Sequence, residues 1–556
     1  MKRLNILSVF ALLSVLGAAI AQASVQEDFA TTLDLVKQKF HDRYALEPWK
    51  TKALHWTIDD AAKRIGAEGA KDPNLTADGA RTLIQDFFYS ARDYHAKAIY
   101  SPGGSTSIPI SVRSVGGKVF VTGVTDDCNC GVAVGDELVS FDGEPAMRSI
   151  FDRTTMKYLN HFESDVRDGE RRLTNPYGML MEKTPMKDTV DLVLRGVDGK
   201  RKTATLAWKK PVAFDAEFAI SRAPAHPMVP ESLQGWSKVD AGFGPRGAYF
   251  RKPEKTLWES ASGARFTAWI AEFPGARNIF GNPGKARKIG YVRIPDFSPG
   301  QPADYTAAVK EFEATIAKMD AETDALILDE NSNPGGMADY MYALASYFFA
   351  KEVPTFKFSY RLFPELVKDA SDSLPDLEKI TNDADAKAYF GGDDYFGFPV
   401  DLEFARDVKT FYQGLADDAK AGRKFGKPRF YDSAKIKPNP RVRYLKPLYI
   451  LTDAYSVSCA DFFPALFQDT KRAEILGGWT MGGGGFTGGT AVINSPLKTN
   501  YLIVPIALGL RLDDRTPIEN LGVLPTRWFS PSPADYRNGF QTYSDSILKY
   551  IRKKIR

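Results

Sequence analysis

From residue 286 onward the chain switches repeatedly between two hydrophobic periods, and that alternation limits the fold more than any other feature. Ile289-Gly-Tyr-Val-Arg-Ile294 reads as a strand, and Val309, Phe312, Ile316 and Met319 mark one face of a helix. Ala325-Leu-Ile-Leu-Asp329 is apolar throughout, as a strand covered on both faces must be. Pro334-Gly335-Gly336 then turns the chain into a helix running to Phe349. The pattern resumes with a strand at Leu448-Tyr-Ile-Leu451, a helix from Ser458 to Gln468 and a strand at Glu474-Ile-Leu-Gly477. A long apolar strand from Tyr501 to Leu510 and a closing helix from Asp545 to Lys554 complete it. This is α/β order. Residues 351–440 break the rhythm; charged and Asp-rich, they read as an insertion with helical pieces.

The residues before this core differ in kind. Residues 27–94 read as helical, with Phe29, Leu33, Val36 and Phe40 on one face and a second run around Leu83-Ile84 and Phe87-Phe88. Residues 105–210 are β-rich: Ile108 to Val112 and Val119 to Gly123 flank Gly116-Gly117, and Val190 to Leu194 and Thr203 to Trp208 flank a hairpin turn at Val197-Asp198-Gly199-Lys200. With 556 residues, 44% hydrophobic and 26% charged, the chain is globular and long enough for two to four domains. A formal charge of +4 gives no electrostatic reason to expect nucleic acid. Lys2 and Arg3, an apolar run from Leu4 to about Ala21, and Ala21-Gln22-Ala23 before Ser24 have the form of an export signal cut after Ala23. The product expected is exported, to the periplasm or the medium, and not embedded in a membrane. Cys128 and Cys130 read as two small loop residues, since so short a separation is awkward for a bridge.

Two strand-to-helix turns carry the candidate chemistry. Ser458 sits where a helix begins, so that free N–H groups and the positive end of the helix dipole lie beside a hydroxyl. Gly335 and Gly336, without Cβ atoms, allow backbone N–H groups to approach a carbonyl oxygen. A serine nucleophile needs a base, and spacing alone does not choose among His41, His55, His95, His161 and His226. Cys459 is a rival nucleophile, and Asp513 and Asp514 are carboxylates near Glu519. The glycines from Gly477 to Gly489 lack the Gly-Lys-Ser/Thr ending of a phosphate loop.

The stretch Gly131 to Pro145, with Gly135-Asp136 before a strand and an Asp142-Gly143 turn, resembles a PDZ domain. Lys288 to Ile294, Leu326 to Asp329 with Asn333 to Gly336, Ser458-Cys-Ala-Asp461, Gln468 to Gly477, Thr480 to Gly485 and Glu519-Asn-Leu-Gly-Val-Leu-Pro525 resemble, in order, the catalytic domain of the C-terminal-processing and tricorn-type serine peptidases. The likeness extends to a chlamydial branch and its bacterial relatives, in which an Asp-Tyr-His segment, here Asp93-Tyr94-His95, precedes the PDZ-like domain. The resemblance implies an α+β multidomain chain: signal peptide 1–23, N-terminal helical region 24–100, PDZ-like domain 101–210, linker or regulatory segment 211–285, and a mixed α/β, crotonase-like peptidase core 286–556 with its insertion. It implies a Ser458–His95–Glu519 triad, an oxyanion hole from Cys459 with Gly335 or Gly336, protein or peptide substrates, and no cofactor or metal. The lysine base of the processing branch would align with Gly483, which cannot act as a base; a displaced lysine such as Lys471 and a non-catalytic binding protein are the other readings. Homodimerisation and a latent form, gated by 211–285 or 351–440, are further analogies.

Overall fold

The computed structural model describes residues 6–100, 107–125, 128–153, 162–175, 187–209, 249–274 and 284–555. Its centre is a seven-stranded sheet in the order Arg527–Trp528, Glu474–Gly477, Leu448–Thr452, Ala325–Asp329, Arg287–Arg293, Ala268–Phe273, Trp258–Glu259. The first five strands run parallel and the last two turn antiparallel. Side-chain alternation divides its residues between two cores. Val292, Leu326, Leu328, Ile450 and Ile475 pack with Phe312, Ile316 and Met319 of the helix Pro302–Glu322 and with the helix Cys459–Asp469. Tyr291, Ile327, Tyr449, Leu451 and Leu476 face the other way, onto Tyr543, Ile547 and Ile551 of the C-terminal helix Gln541–Lys554.

The sheet takes in residues ahead of 286. Ala268-Trp-Ile-Ala271 is buried in it, though this short apolar run stands in a segment with no periodicity to announce it. The other residues of 211–285 lie partly outside the described set. The insertion carries three helices, Pro364–Leu377, Asp383–Phe390 and Leu402–Lys420, and shares the main core through Phe358, Tyr360, Phe404 and Phe411.

The expected long strand from Tyr501 to Leu510 is instead two strands in different sheets. Thr499–Ile503 pairs with Lys97–Tyr100, whereas Ala507–Gly509 pairs with Lys357–Tyr360 of the insertion. Pro505 lies between them; without an N–H it cannot continue a ladder, and its carbonyl accepts instead from Ala45 N–H at 3.0 Å. This break lets one stretch of chain fasten both the N-terminal region and the insertion to the core.

Four helices form the N-terminal region: Ile6–Arg43, Glu47–Leu54, Ile58–Lys71 and Ala77–Ser90. The first runs through Ala23, and its buried face of Phe29, Leu33, Val36 and Phe40 lies beyond that point. No helix among the described residues is long and apolar enough to cross a membrane. The β-rich region forms its own sheet around Val112, Val121, Phe141 and Leu192. Its edge strand Ile110–Val115 is covered by the helix Phe162–Thr174: Ser114 N–H and Oγ both donate to Glu170 at 2.6 Å, and Arg167 donates to Ser114 O. Cys128 and Cys130, read from sequence as unbridged, form a disulfide in this region; their Cα atoms, 5.2 Å apart, lie within the range such a bond spans.

Candidate active site

Two neighbouring parallel strands, Ala325–Asp329 and Leu448–Thr452, end side by side, where open α/β sheets commonly bind ligands. Their following loops are tied together. Ser332 N–H and Oγ donate to Asp453, Ser456 Oγ donates to Glu330 O, and Val457 N–H donates to Asn333 O. Ser458 therefore stands directly against Gly335: a Cβ on residue 335 would come within 2.6 Å of Ser458 Cβ and 2.9 Å of Cys459 N. Only glycine fits there, and its φ of +88° also favours glycine.

Ser458 itself has φ 62° and ψ −124°, an unusual conformation for a residue with a side chain. The turn is held by Asp461, whose buried carboxylate accepts three N–H groups: Ser458 at 2.9 Å, Gly482 at 2.7 Å and Gly483 at 2.8 Å. Asp461 thus binds the serine turn to the glycine-rich loop. Its signal was present in the sequence as Ser-x-x-Asp at a helix start, the spacing of a capping box. Burial raises its carboxyl to about 6, against the pull of these hydrogen bonds.

The glycine-rich loop brings His95 to the serine. A Cβ placed on Gly483 would lie 3.1 Å from His95 Cε1 and 3.5 Å from Ser458 N, so both line the same small space. This is the position where a processing-type lysine would align, and the imidazole now occupies the room such a side chain would need. Burial lowers His95 to about 4, so its ring is neutral at neutral pH. His95 N–H donates to Asp93 Oδ1 at 2.8 Å, and Asp93 Oδ2 accepts from Tyr44 OH at 2.9 Å, which fixes the segment just before its pairing strand. The ring atom Nδ1 is closed off from solvent and has no partner. His41 and His55 lie elsewhere, the former against exposed Asp59 and the latter at a helix end; His161 and His226 fall outside the described residues.

Glu519 follows the same loop, its backbone N 2.2 Å from where a Cβ on Gly484 would lie. Its carboxylate is buried and already partnered: Oε2 accepts from Gly484 N–H at 2.8 Å and Oε1 from Lys50 Nζ at 2.5 Å. No direct Glu519–His95 hydrogen bond is among the described contacts. Burial raises the Glu519 carboxyl to about 7 while Lys50 pulls it down. No pattern in the sequence points to Lys50, whose partner is 469 residues away along the chain.

The other candidates separate clearly. Gly335 N–H is taken by Asn333 Oδ1 at 2.9 Å, which leaves Gly336 and Cys459 as the backbone donors not committed among the described hydrogen bonds. Cys459 Sγ donates to Gly336 O at 3.0 Å, and burial pushes its thiol up to about 12, the opposite of a reactive cysteine. Asp513 and Asp514 are exposed, bonded to Thr516 and Lys357 respectively. Lys471 is exposed beyond the far end of the helix that Ser458 begins, roughly 16 Å away at 1.5 Å per residue. Beside Ser458 a cavity of about 90 Å³ is lined by Tyr342, Phe358, Tyr395, Phe396, Phe462 and Phe486. Among the described residues no group of His, Cys, Asp and Glu is arranged to hold a metal.

A serine at a strained turn, backbone donors beside it and a neutral imidazole sharing its space define a serine-type hydrolase site on a parallel sheet. Comparison with known proteins agrees with that class. Residues 288–527 match peptidase family S41 and residues 104–224 match a PDZ domain, and the chain is a serine-type peptidase. An uncharacterized protein of Chlamydia muridarum is 27% identical over 94% of this chain and 92% of its own length, and a protein of Chlamydia trachomatis serovar D is 27% identical over the same shares. Among solved structures, mature CPAF complexed with lactacystin is 25% identical with a TM-score of 0.80, over 96% of this chain and 99% of that one. CPAF is the chlamydial protease-like activity factor.

Gly483→Ala tests the shared space. The added methyl would meet Val457 Cγ2 at 2.7 Å and His95 Cε1 at 3.1 Å, forcing the imidazole off line. The expected result is a fall in kcat of about 100-fold with unchanged circular dichroism. Wild-type kcat would show that His95 is not aligned through this gap.

Proposed function

We propose that the protein is an exported endopeptidase that cleaves protein substrates through an acyl-enzyme, with Ser458, His95 and Glu519 as its triad. The observation that carries this is the convergence of His95 Cε1 and Ser458 N within 3.5 Å of one point at Gly483. The Ser458 hydroxyl attacks the scissile carbonyl carbon and passes its proton to His95. The carbonyl oxygen becomes an oxyanion that accepts from Cys459 N–H and Gly336 N–H. His95 then gives its proton to the leaving amine nitrogen, the C–N bond breaks, and the acyl group stays on Ser458. Water, deprotonated by His95, releases it by the reverse sequence. Glu519, held at Gly484 on the same loop whose Gly483 meets the ring, supplies negative charge that favours the imidazolium. The aromatic cavity beside Ser458 suits an apolar side chain of the substrate.

Export rests on the N-terminal pattern, and removal of residues 1–23 leaves the buried face from Phe29 onward intact. A latent form gated by residues 211–285 or 351–440 is part of this reading; both segments contribute to the main core, through Ala268 and Ile270 and through Phe358 and Phe404. Full-length protein that is active at once and stays uncut would dispose of latency. A binding protein gripping peptides at its PDZ edge is disfavoured, because Glu170 already occupies Ser114 on that edge.

A fluorophosphonate probe tests the nucleophile. One label per chain is expected, on the peptide that contains Ser458, and prior treatment of the mature chain with unlabelled probe should abolish casein hydrolysis. Labelling of another serine would overturn the assignment.

A further inference from the structure

The contacts of Lys50 are unusual for a lysine. Its side chain is fully buried, and its ammonium donates to Glu519 Oε1 at 2.5 Å, to Asn520 Oδ1 at 2.7 Å and to the Arg92 carbonyl at 2.9 Å. Asn520 Nδ2 reaches the same carbonyl at 2.9 Å. One cation therefore joins the helix Glu47–Leu54, the loop just before His95 and the loop carrying Glu519. Burying a charge is costly unless it is paired and hydrogen-bonded, and here all three donor positions are used.

We infer that Lys50 is a positioning residue of this peptidase, its buried ammonium anchoring and balancing the Glu519 carboxylate on the glycine loop that also packs against His95. The inference rests on the triad reading above. Lys50 is not the base, since its donors are committed to Glu519, Asn520 and Arg92. The groups that face Glu519 are Lys50, Asp93, Tyr44 behind Asp93, and the Gly484 N–H. Asp93 pushes the Glu519 carboxyl up, as burial does; of the side chains, Lys50 pulls it down. Without Lys50 the carboxyl would hold a proton at neutral pH, and a neutral acid cannot favour the imidazolium that forms during the reaction.

The test combines Lys50→Met, Glu519→Gln and the double variant, with kcat/KM followed against pH. The wild type should lose activity below about pH 7 as Glu519 takes a proton. Lys50→Met should shift that limb upward by at least about one pH unit, with about tenfold or greater loss at pH 7 that is partly recovered in alkali. Glu519→Gln should be slow with the limb gone, and adding Lys50→Met to it should change the rate by less than about threefold. A Lys50→Met enzyme with the wild-type limb, whatever its rate, would make Lys50 a structural brace and overturn the inference. So would a further tenfold loss in the double variant. A Glu519→Gln enzyme at the wild-type rate would overturn the triad reading and this inference with it.

Unfolding in urea gives a readout independent of turnover. In the unfolded chain the carboxyl titrates near about 4.3. In the folded protein it is raised, so the native state keeps the proton longer, and stability falls as pH rises until the folded value is passed. With Lys50 that decline ends near 7. In Lys50→Met it should continue above pH 7, the unfolding equilibrium constant gaining up to about tenfold per pH unit relative to wild type. Parallel curves between pH 7 and 9 would overturn the inference even in an inactive preparation.

Discussion

Ser458→Ala is expected to reduce casein hydrolysis by about 10⁴- to 10⁶-fold while leaving the thermal midpoint close to that of the wild type. The large kinetic effect follows from the acyl-enzyme route, which has no alternative nucleophile at the turn: the neighbouring thiol of Cys459 is buried, bonded to Gly336 O and far from its thiolate form. The small effect on stability follows from how the turn is held. Asp461 grips the backbone N–H of residue 458 and Asn333 O that of Val457, and neither bond uses the hydroxyl. Alanine keeps the same strained φ of 62° and gives up only the side-chain half of the capping box with Asp461. Parallel assays of hydrolysis and melting on one preparation check both halves. Undiminished cleavage by the variant would place the nucleophile elsewhere.

His95→Ala should lower kcat by about 10³-fold or more, with fluorophosphonate labelling of Ser458 slowed to a comparable degree. Its neutral ring is ready to accept a proton across the physiological range, because burial holds it near 4. Protonation of His95 itself should therefore not limit the free enzyme above about pH 5. The acid limb belongs instead to Glu519. In the variant the residual rate should rise steadily with pH, as hydroxide takes over from the lost base. Activity that survives intact would point to a lysine, yet Lys471 lies at the wrong end of its helix, and Lys50 is held by Glu519.

What the sequence revealed and what it hid divide along a physical line. Ala325–Asp329 and Leu448–Thr452 were legible because a strand buried on both faces must be apolar throughout. Ser458 and the glycines at 335 and 336 stood out because tight turns between strand and helix need those residue types. The insertion read only as carrying helical pieces; its three helices were not placed, because its charged, Asp-rich sequence masks the amphipathic spacing. Lys50 could not be placed, because a lysine in a short helix looks solvated until a carboxylate from the far end of the chain closes over it. The break at Pro505 was hidden by the apolar residues around it, which suit either sheet equally well. The strand at Ala268–Phe273 was too short and too isolated for its period to show. His95 was singled out by family likeness; spacing left it one of five histidines, and pairing of Lys97–Tyr100 with Thr499–Ile503 is what carries it to the serine.

That pairing also sets a clock. The ribosome produces the segment with residue 95 long before its partner strand and residue 519. Until then the imidazole has no sheet to hold it, and Lys50 has no carboxylate to meet. On the triad reading, a growing polypeptide lacks an assembled site until that later stretch has folded onto the earlier one.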